Sequence, residues 1–449
     1  MELHPKGWDL SLERIRRLLA KLGDPQDRLP PVVHVAGTNG KGSTIAFLRA
    51  MLASAGLSVH VHTSPHLVRW HERYVVSGRE VDDDTLADAI GRVAHVNAGE
   101  PITVFELLTA VAFILFSEHP AHVTLMEVGL GGRCDSTNVM AEKALTVITP
   151  IGLDHQAHLG ETRDLIAREK AGILREGVPL VLAPQVEEAR DAIDTIARPL
   201  GIDPFAQGQD YSAHDEHGHL VYQDFLDGGV LLDLPLPSLP GPHQIENAAT
   251  AIAAMRVLAR RGVVSLDDDA LQAAVEMGLT RATWPGRLQH IADGPLLEGA
   301  PPSTEIWLDG GHNPHAAEAV AQHLAMLGER RDRPLFLVVG MLDNKDSLGF
   351  LRTFEGLVRH VFTVPLASTD AFVPPERLAE IAREAGLSAE PVDSVAEALA
   401  VLYRDWEYEP HGSGGGGEGL RETRAPRVLV TGSLYLAGDV LALSGSAGG

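Results

Sequence analysis

A glycine-rich segment stands between an apolar run and a helical pattern near the start of the chain. Residues 34–44 read His-Val-Ala-Gly-Thr-Asn-Gly-Lys-Gly-Ser-Thr. Glycine has no Cβ, so such a backbone can curl and point its N–H groups inward, beside the positive end of the following helix. Phosphate oxygens bind to groups arranged in this way. The segment therefore predicts a strand, a phosphate-binding loop and a helix in succession, with the loop formed by Gly37, Thr38, Asn39, Gly40, Lys41, Gly42 and Ser43.

The spacing within this loop differs from that of the common nucleotide-binding loop. The common loop has a longer interval between its first glycine and the Gly-Lys pair, whereas only Thr38 and Asn39 separate Gly37 from Gly40. Lys41 can reach the outer phosphates of a nucleotide, and the hydroxyl groups that follow it can lie near a metal ion. A glycine-rich turn with a solvated lysine is the alternative, but the order of strand, loop and helix favours phosphate binding.

The composition is typical of a soluble globular enzyme with an acidic excess. Of the 449 residues, 45% are hydrophobic and 22% are charged, and the formal net charge is −24. Nucleic acids and anionic membranes attract basic surfaces, so we expect neither as a partner. Cys134 is the single cysteine, which excludes an intramolecular disulfide and favours a reducing compartment. The apolar residues 107–116 are too few to cross a bilayer, and we expect a cytoplasmic monomer.

Apolar strand-like runs alternate with helical patterns in two separate stretches of the chain. This alternation predicts an α/β fold with mostly parallel sheets and helices on both faces. Residues 291–303 are rich in proline and glycine, as linkers are, so we predict an N-terminal domain over 1–290 and a C-terminal domain over 304–449. Residues 412–419 predict a flexible loop inside the second domain. The predicted strands are 32–36, 59–62, 122–128, 144–148, 305–308, 335–339, 361–364 and 428–430.

Polar residues follow the predicted strands of the first domain. Ligands bind at the carboxyl ends of the strands in such sheets. Glu127 ends a buried strand, where Mg²⁺ would need an oxygen ligand, although it could instead cap a turn or pair with Arg133. His155 follows another strand, beside Asp154, and could be either a ligand or a structural histidine. These positions make the first domain a candidate metal and nucleotide site.

Further polar positions have more than one interpretation. Lys170, judged from its helical surroundings alone, is a solvated lysine. Arg287 follows Trp284-Pro285-Gly286 and could clamp a phosphate with its planar guanidinium or could brace a hinge. Asp309 and His312 form a polar loop at the end of a predicted strand in the second domain.

Short segments from residue 34 to about 440 match the motifs of one family in order. They are 34–44, Thr63-Ser64-Pro65-His66-Leu67, Phe105-Glu106, 127–133 with Asp135, Asp154-His155, 169–173, His243-Gln244 with Asn247, Gly286-Arg287, Asp309-Gly310 with His312-Asn313-Pro314, and Gly432-Ser433-Leu434-Tyr435. Together they resemble the folylpolyglutamate synthase/dihydrofolate synthase family of the Mur ligase superfamily. One such motif would be a weak signal, but so many in order are highly specific.

The resemblance implies an N-terminal ATP-binding domain with a P-loop ATPase-like parallel sheet, and a smaller Rossmann-like C-terminal domain. It implies that Lys41 and its loop hold the phosphates of ATP. Two Mg²⁺ ions would be bound by Ser64, Glu127 and His155. Lys170 would be carbamoylated, which turns a cation into an anion and replaces the interpretation of a solvated lysine.

The resemblance also assigns residues to the substrates. Asp135 would fit the pterin site, and His312 with Ser433 would help to place the incoming glutamate. The catalytic residues would be Lys41, Lys170 and His312. The ATP contacts outside the loop would be Asn247, Arg287 and Asp309. The residues that bind the other substrates would be Pro65, His66, Asp135, His312 and Ser433.

The implied reaction is the ATP-dependent addition of L-glutamate to dihydropteroate, to the glutamate tail of reduced folates, or to both, through an acyl phosphate. One alternative is a Mur-type ligase of UDP-muramoyl peptides, and the Thr-Ser-Pro-His-Leu and Glu-Val-Gly-Leu-Gly-Gly-Arg segments argue against it. Another is a nucleotide-binding switch without catalysis, and the polar motifs of the second domain argue against that. The sequence leaves open whether one or both of the folate substrates are used.

Overall fold

The computed structural model describes residues 11–408 and 425–444. The chain divides into two compact units. Unit 1 contains the chain up to His66, Trp70–Ser238 and His243–Trp284, and unit 2 contains Leu67–Arg69, Leu239–Pro242 and the chain from Pro285 onward. The division at Pro285 comes before the predicted linker at 291–303. The predicted loop at 412–419 lies outside the described residues.

Unit 1 is built on an eight-stranded sheet with the order β4-β3-β2-β5-β1-β6-β7-β8. Strands β2, β5, β1, β6, β7 and β8 are parallel to one another, and β3 and β4 extend the sheet in antiparallel fashion. The phosphate-loop strand β1 therefore lies inside the sheet, and the strand predicted over 32–36 is confirmed with those limits. The strands are β1 (Val32–Ala36), β2 (Val59–His62), β3 (Tyr74–Val76), β4 (Arg79–Glu80), β5 (Val123–Glu127), β6 (Leu145–Ile148), β7 (Leu180–Leu182) and β8 (Phe205–Ala206).

Helices cover this sheet, and local sequence explains where the central ones begin. Thr103 and Glu106 form a reciprocal capping box at the start of α4. That helix is apolar on all sides and therefore buried, in a core shared with α1 and α3. The helices of unit 1 are α1 (Glu13–Lys21), α2 (Lys41–Ser54), α3 (Asp83–Asn97), α4 (Val104–Glu118), α5 (Gln156–Leu159), α6 (Arg163–Ala171), α7 (Glu187–Ala197), α8 (Pro242–Arg260) and α9 (Asp268–Arg281).

Unit 1 also contains a three-stranded antiparallel sheet, with the order β11-β10-β9, that the sequence did not predict. Its first strand carries a buried residue only at Tyr211, so it lacks a clear apolar alternation. The buried positions of the next strand include Asp224, which pairs with Arg256. The strands are β9 (Tyr211–Glu216), β10 (His219–Asp224) and β11 (Val230–Pro235).

Unit 2 is a six-stranded sheet with the order β12-β13-β17-β14-β15-β16. All its strands are parallel except β12, which pairs antiparallel with β13. Strand β12 ends at Ile291, the first residue of the predicted linker, so the second sheet begins before that linker. The strands are β12 (Gln289–Ile291), β13 (Glu305–Leu308), β14 (Leu335–Val339), β15 (His360–Thr363), β16 (Ala389–Pro391) and β17 (Arg427–Thr431).

The central strands of unit 2 are buried on both faces. Along β14, Phe336 and Val338 belong to one core, whereas Leu335, Leu337 and Val339 belong to another, as the alternation of a strand requires. Helices pack on both faces, so the unit is a doubly wound α/β fold, as predicted. Its helices are α10 (Pro314–Arg330), α11 (Ser347–Arg352), α12 (Pro375–Glu384), α13 (Val395–Tyr408) and α14 (Leu434–Leu443). Within the described residues, no helix combines the length and apolarity that a bilayer span requires.

Candidate active site

The phosphate loop connects β1 to α2 in a conformation that its glycines make possible. Gly40 precedes α2 with φ +84°, in the left-handed region that favours glycine. A Cβ on Gly40 would overlap Oδ1 of Asn247, and a Cβ on Gly37 would overlap the hydroxyl of Thr149. Neighbouring side chains therefore press directly against the loop, which explains the need for glycine at both positions.

The loop is also held by the segment that follows β6. The hydroxyl of Thr149 donates to the carbonyl of Asn39 at 2.7 Å. The N–H groups of Thr38 and Asn39 both donate to the carbonyl of Pro150, at 3.0 and 3.3 Å. These two amides are thus occupied within the protein, contrary to the expectation that they would point at phosphate. The amides of Gly42 and Ser43 belong to the first turn of α2, where the helix supplies no acceptor.

Two lysines meet at the carbonyl of Gly37. Lys41 donates to this oxygen at 3.1 Å and to the carbonyl of Thr38 at 3.2 Å, and Lys170 of α6 donates to the Gly37 oxygen at 2.8 Å. Lys170 is 5% exposed, so the alternative of a solvated lysine is wrong. Burial, together with the nearby charge of Lys41, lowers the pKa of Lys170 to about 7. Asp154 and Asp135 oppose that shift.

Glu127 and Ser64 come together at the ends of neighbouring strands. Glu127 is the last residue of β5, and β5 lies between β1 and β2. Its buried carboxylate accepts a hydrogen bond from the N–H of Ser64, which follows β2, at 3.1 Å. Ser64 is joined to Pro65 by a cis peptide bond. Carboxylate and hydroxyl oxygens are ligands that Mg²⁺ and Mn²⁺ accept.

His155 directly precedes the short helix α5 and has a backbone φ of +52°, which is uncommon for residues other than glycine. Its N–H donates to Oδ1 of Asp154 at 2.8 Å. No group of three His, Cys, Asp or Glu side chains within 11–408 and 425–444 is placed to hold a metal ion. The candidate metal site in unit 1 therefore needs the hydroxyl of Ser64 in addition to Glu127 and His155. The types of these donors fit a divalent cation that prefers oxygen.

Helix α8 contributes side chains to the start of α2. Asn247, which lies against Gly40, donates to Oε1 of Gln244 at 3.0 Å. Gln244 in turn donates to the hydroxyl of Ser43 at 3.3 Å. Gln244 and Thr149 are loop-supporting residues to which the sequence analysis gave no role. Their only sequence signal was the position of Gln244 in a matched motif, because both act through contacts between distant segments.

Asp135 organises the loop that follows β5. Its Oδ1 accepts from the N–H and the hydroxyl of Thr137, at 2.9 and 2.5 Å, and its Oδ2 accepts from the N–H of Leu130 at 2.8 Å. Burial raises the pKa of Asp135, and these hydrogen bonds oppose the shift. Of the two other predicted substrate residues in unit 1, Pro65 follows the cis peptide bond. Nδ1 of His66 accepts from Nε of Arg73 at 2.8 Å, and the His66 ring lies 4.4 Å from the ring of Trp70, centroid to centroid.

Of the predicted residues of unit 2, Asp309, His312 and Ser433 lie on loops at the carboxyl ends of β13 and β17. Arg287 precedes β12, which pairs antiparallel with β13. The buried Asp309 accepts from the N–H groups of Leu288 and Gly311, at 2.9 and 2.7 Å. Burial raises its pKa, against the charge of Arg287. The ring of His312 is 2.9 Å from the carbonyl of Gly310.

Backbone hydrogen bonds join the loops of unit 2 to one another. Gly310 donates to the carbonyl of Gly286 at 2.8 Å, and Gly432 donates to that of Gly311 at 3.0 Å. Ser433 follows and caps α14 by accepting from the N–H of Tyr435 at 3.1 Å. The structure therefore brings Arg287, Asp309, His312 and Ser433 to one edge of the second sheet.

Comparison with known proteins agrees with this arrangement. The family described as "Mur ligase, glutamate ligase domain" matches residues 286–408. With a phosphate loop in unit 1 and this domain in unit 2, the chain is defined as an ATP-dependent carbon–nitrogen ligase of the Mur type. Dihydrofolate synthase/folylpolyglutamate synthase of Bacillus subtilis is 33% identical over 456 residues, covering 96% of this chain and 94% of the relative. The chain belongs to the dihydrofolate synthase/folylpolyglutamate synthase family.

Solved structures support the same assignment over nearly the whole chain. Escherichia coli FolC in complex with DHPP and ADP is 32% identical and has a TM-score of 0.82, with 99% of this chain and 95% of that chain covered. The Yersinia pestis bifunctional folylpolyglutamate synthase/dihydrofolate synthase complexed with AMPPNP and Mn ion is 30% identical, with a TM-score of 0.79 and coverage of 98% and 95%.

Proposed function

We propose that this chain uses ATP to join L-glutamate to dihydropteroate, to the glutamate tail of reduced folates, or to both. The observation that carries the proposal is the position of the Lys41 ammonium group, which donates to the carbonyls of Gly37 and Thr38 in the phosphate loop at the start of α2. A cation beside a helix N-terminus forms a site for a polyphosphate. Membership of the ligase family identifies the chemistry that such a site serves.

The reaction requires activation of a carboxylate, because a carboxylate is a poor electrophile. A carboxylate oxygen of the substrate attacks the γ-phosphorus of ATP, and ADP leaves. The resulting acyl phosphate has a good leaving group, so the amino group of glutamate attacks its acyl carbon and phosphate departs with loss of a proton. In phosphoryl transfer the protein contributes mainly positioning and electrostatic stabilisation. We assign Lys41 to the neutralisation of the charge that develops on the transferred phosphoryl group.

Ser64, Glu127 and His155 would hold Mg²⁺, with two ions bound as in the resemblance set out above. When bound, the metal supplies positive charge that neutralises phosphate oxygens. Two observations support Glu127 as a ligand: it is buried at the carboxyl end of β5, and its carboxylate accepts a hydrogen bond from the backbone of Ser64.

Lys170 is proposed to be carbamoylated. A pKa of about 7 leaves much of this amine neutral at neutral pH, and only the neutral amine can attack CO₂. The new N–C bond yields a carbamate anion, and the displaced proton goes to solvent. The charge beside Lys41 would then change from repulsive to attractive, which supports the modification at this buried position.

The carbamate has a direct test in ¹³C NMR with labelled bicarbonate. We expect a carbamate resonance in the wild-type protein that is absent from Lys170→Ala, and activity that rises with added bicarbonate. Lys143→Ala removes a second buried lysine and serves as the control that keeps the resonance. A spectrum that is the same with and without Lys170 would contradict the carbamate.

The remaining residues are assigned to the substrates. We propose that Asn247, Arg287 and Asp309 contact ATP, and that His312 and Ser433 place glutamate. The glutamate ligase family model covers residues 286–408 and thus supports the roles of Arg287, Asp309 and His312. Pro65, His66 and Asp135 are assigned to the folate-type substrate, with Asp135 at the pterin.

The function is tested by release of phosphate from ATP in the presence of L-glutamate and one second substrate. We expect release with dihydropteroate, tetrahydrofolate or both, and the ratio of the two rates identifies the activity. Release only with a UDP-muramoyl peptide would favour a Mur-type peptidoglycan ligase, and no release with any of them would favour a switch. We further propose that the protein is cytoplasmic and monomeric. Light scattering of the purified protein measures its mass and so tests whether it is a monomer.

A further inference from the structure

A chain of hydrogen bonds in unit 1 joins the central strand β1 to the proposed pterin residue. Nε2 of His34 lies 2.8 Å from the hydroxyl oxygen of Thr137, and that oxygen lies 2.5 Å from Oδ1 of Asp135. All three side chains are buried. Neither His34 nor Thr137 has a part in the function proposed above.

The direction of these hydrogen bonds follows from the carboxylate at one end. Asp135 also accepts from the N–H groups of Thr137 and Leu130, and these donors oppose the rise in its pKa that burial causes. An ionised carboxylate only accepts, so the Thr137 hydroxyl must donate its single hydrogen to Asp135. That hydroxyl can then only accept from His34, which places the ring hydrogen of His34 on Nε2.

The surroundings of His34 agree with a neutral ring of this tautomer. Burial lowers the pKa of His34 well below its usual value, and the nearby charges of Lys143 and Arg175 lower it further. A neutral imidazole has one N–H, and the other nitrogen, Nδ1, has no hydrogen-bond partner among the described residues. The single ring hydrogen of His34 is therefore donated to the Thr137 hydroxyl.

We propose that His34, acting through Thr137, is a positioning residue for Asp135 and so determines how tightly the pterin part of the substrate binds. The inference rests on the substrate role proposed for Asp135. A carboxylate has about four acceptor sites. Thr137 occupies Oδ1 with two donors and Leu130 occupies one site of Oδ2, so a substrate N–H would be received at the remaining site of Oδ2. His34 fixes the Thr137 hydroxyl, and Thr137 fixes the plane of the carboxylate.

Steady-state kinetics of matched variants test the proposal. Thr137→Val and His34→Leu remove the hydrogen bonds but keep similar volumes, and each should raise the KM for the pterin substrate about tenfold. The KM for ATP should not change. Thr137→Ser keeps the hydroxyl and His34→Gln keeps a donor near the position of Nε2, so both should restore a KM close to that of the wild type.

A control and a reference variant separate the possible outcomes. Thr146→Val removes another buried hydroxyl, which donates to the carbonyl of Pro179 at 2.8 Å and lies opposite His34 on β6. An equal rise in KM for Thr146→Val would overturn the inference, because it would show a general effect of core polarity. If Asp135→Asn weakens pterin binding while Thr137→Val and His34→Leu do not, the inference fails and the substrate role of Asp135 stands. No effect of Asp135→Asn would remove that substrate role.

The tautomer of His34 gives a test that needs neither catalysis nor a destabilising variant. In ¹⁵N NMR of the wild-type protein, His34 should be neutral with its hydrogen on Nε2, and His34→Gln identifies its signal among the 21 histidines of the chain. A hydrogen on Nδ1 would reverse the direction of the hydrogen bonds and overturn the proposal.

Discussion

Asp135 in unit 1 and Asp309 in unit 2 use both carboxylate oxygens to hold the backbone of a loop. Each is buried, and burial raises the pKa of each. A carboxylate that accepts several backbone N–H groups is expensive to remove, because those donors would be left unpaired. These residues therefore shape their loops, whatever contact with substrate they also make.

Lys41 is the residue for which the structure makes the strongest prediction about catalysis. In Lys41→Ala we expect kcat to fall about a hundredfold or more, as for other losses of a group that stabilises developing charge. The fold should remain, since the Lys41 ammonium bonds to carbonyls of its own loop. Phosphate release and circular dichroism measure the two properties.

Lys21→Ala is the control for that experiment. Lys21 lies on the surface of α1 and pairs with Glu100, so its removal should leave kcat unchanged. Equal rates for Lys41→Ala and the wild type would refute the role of Lys41 in phosphoryl transfer.

At the scale of the element, the junction of β1 and α2 depends on Gly40. In Gly40→Ala we expect the affinity for ADP to fall at least about tenfold, because the new Cβ would displace Asn247 beside the phosphate loop. The left-handed alanine would also cost about 1–2 kcal/mol of stability. Titration calorimetry measures the affinity.

Gly56 provides a matched control at the other end of α2. It has φ +75°, and a Cβ there would meet nothing within 4 Å. Gly56→Ala should therefore lower stability through the same backbone strain without changing the affinity for ADP. If both variants lost the same affinity, the contact between Gly40 and Asn247 would be irrelevant to nucleotide binding.

Strands and helices with a strong apolar pattern were predictable from the sequence. The runs at 305–308 and 335–339 are strands with those limits, because they are apolar and bounded by turn residues. Helix α2 begins at Lys41, directly after Gly40, which has a left-handed backbone conformation. The β9–β11 sheet was not predictable, because its buried positions include a paired Asp224 and its first strand is mostly exposed.

Only some residues of the candidate active site could be predicted from the sequence. Glycines and strand-end acids signalled their positions locally. Lys170, by contrast, stands among charged residues on α6, and its buried amine donates to the carbonyl of Gly37, which is distant in sequence. Thr149 and His34 gave no local signal of their contacts for the same reason.

For the whole molecule, two buried lysines make stability depend on pH. Burial lowers the pKa of Lys170 to about 7 and that of Lys143 to about 6, whereas an unfolded lysine titrates near ~10.4. Between these values the unfolded chain binds more protons, so the free energy of unfolding rises with pH. The destabilisation is complete below the folded pKa and is relieved as the pH rises toward the unfolded value.

The variant Lys170→Met should remove the part of the pH dependence of the unfolding free energy that Lys170 causes. In buffer depleted of CO₂, we expect the variant to gain stability over the wild type at pH 6–7, and the gain to shrink by about 2 kcal/mol by pH 9. Denaturant unfolding at several pH values measures the difference. Lys21→Met, at an exposed position, should show no such trend, and a gain for Lys170→Met that did not vary with pH would be evidence against a depressed pKa.

The bonds from Thr38 and Asn39 to Pro150, and from Thr149 to Asn39, join the phosphate loop to the segment that follows β6. That segment thus preorganises the phosphate loop through hydrogen bonds within the protein. A preorganised site loses little conformational entropy when its ligand binds. More of the interaction with ATP therefore remains available for the transition state of phosphoryl transfer, where tighter binding raises the rate.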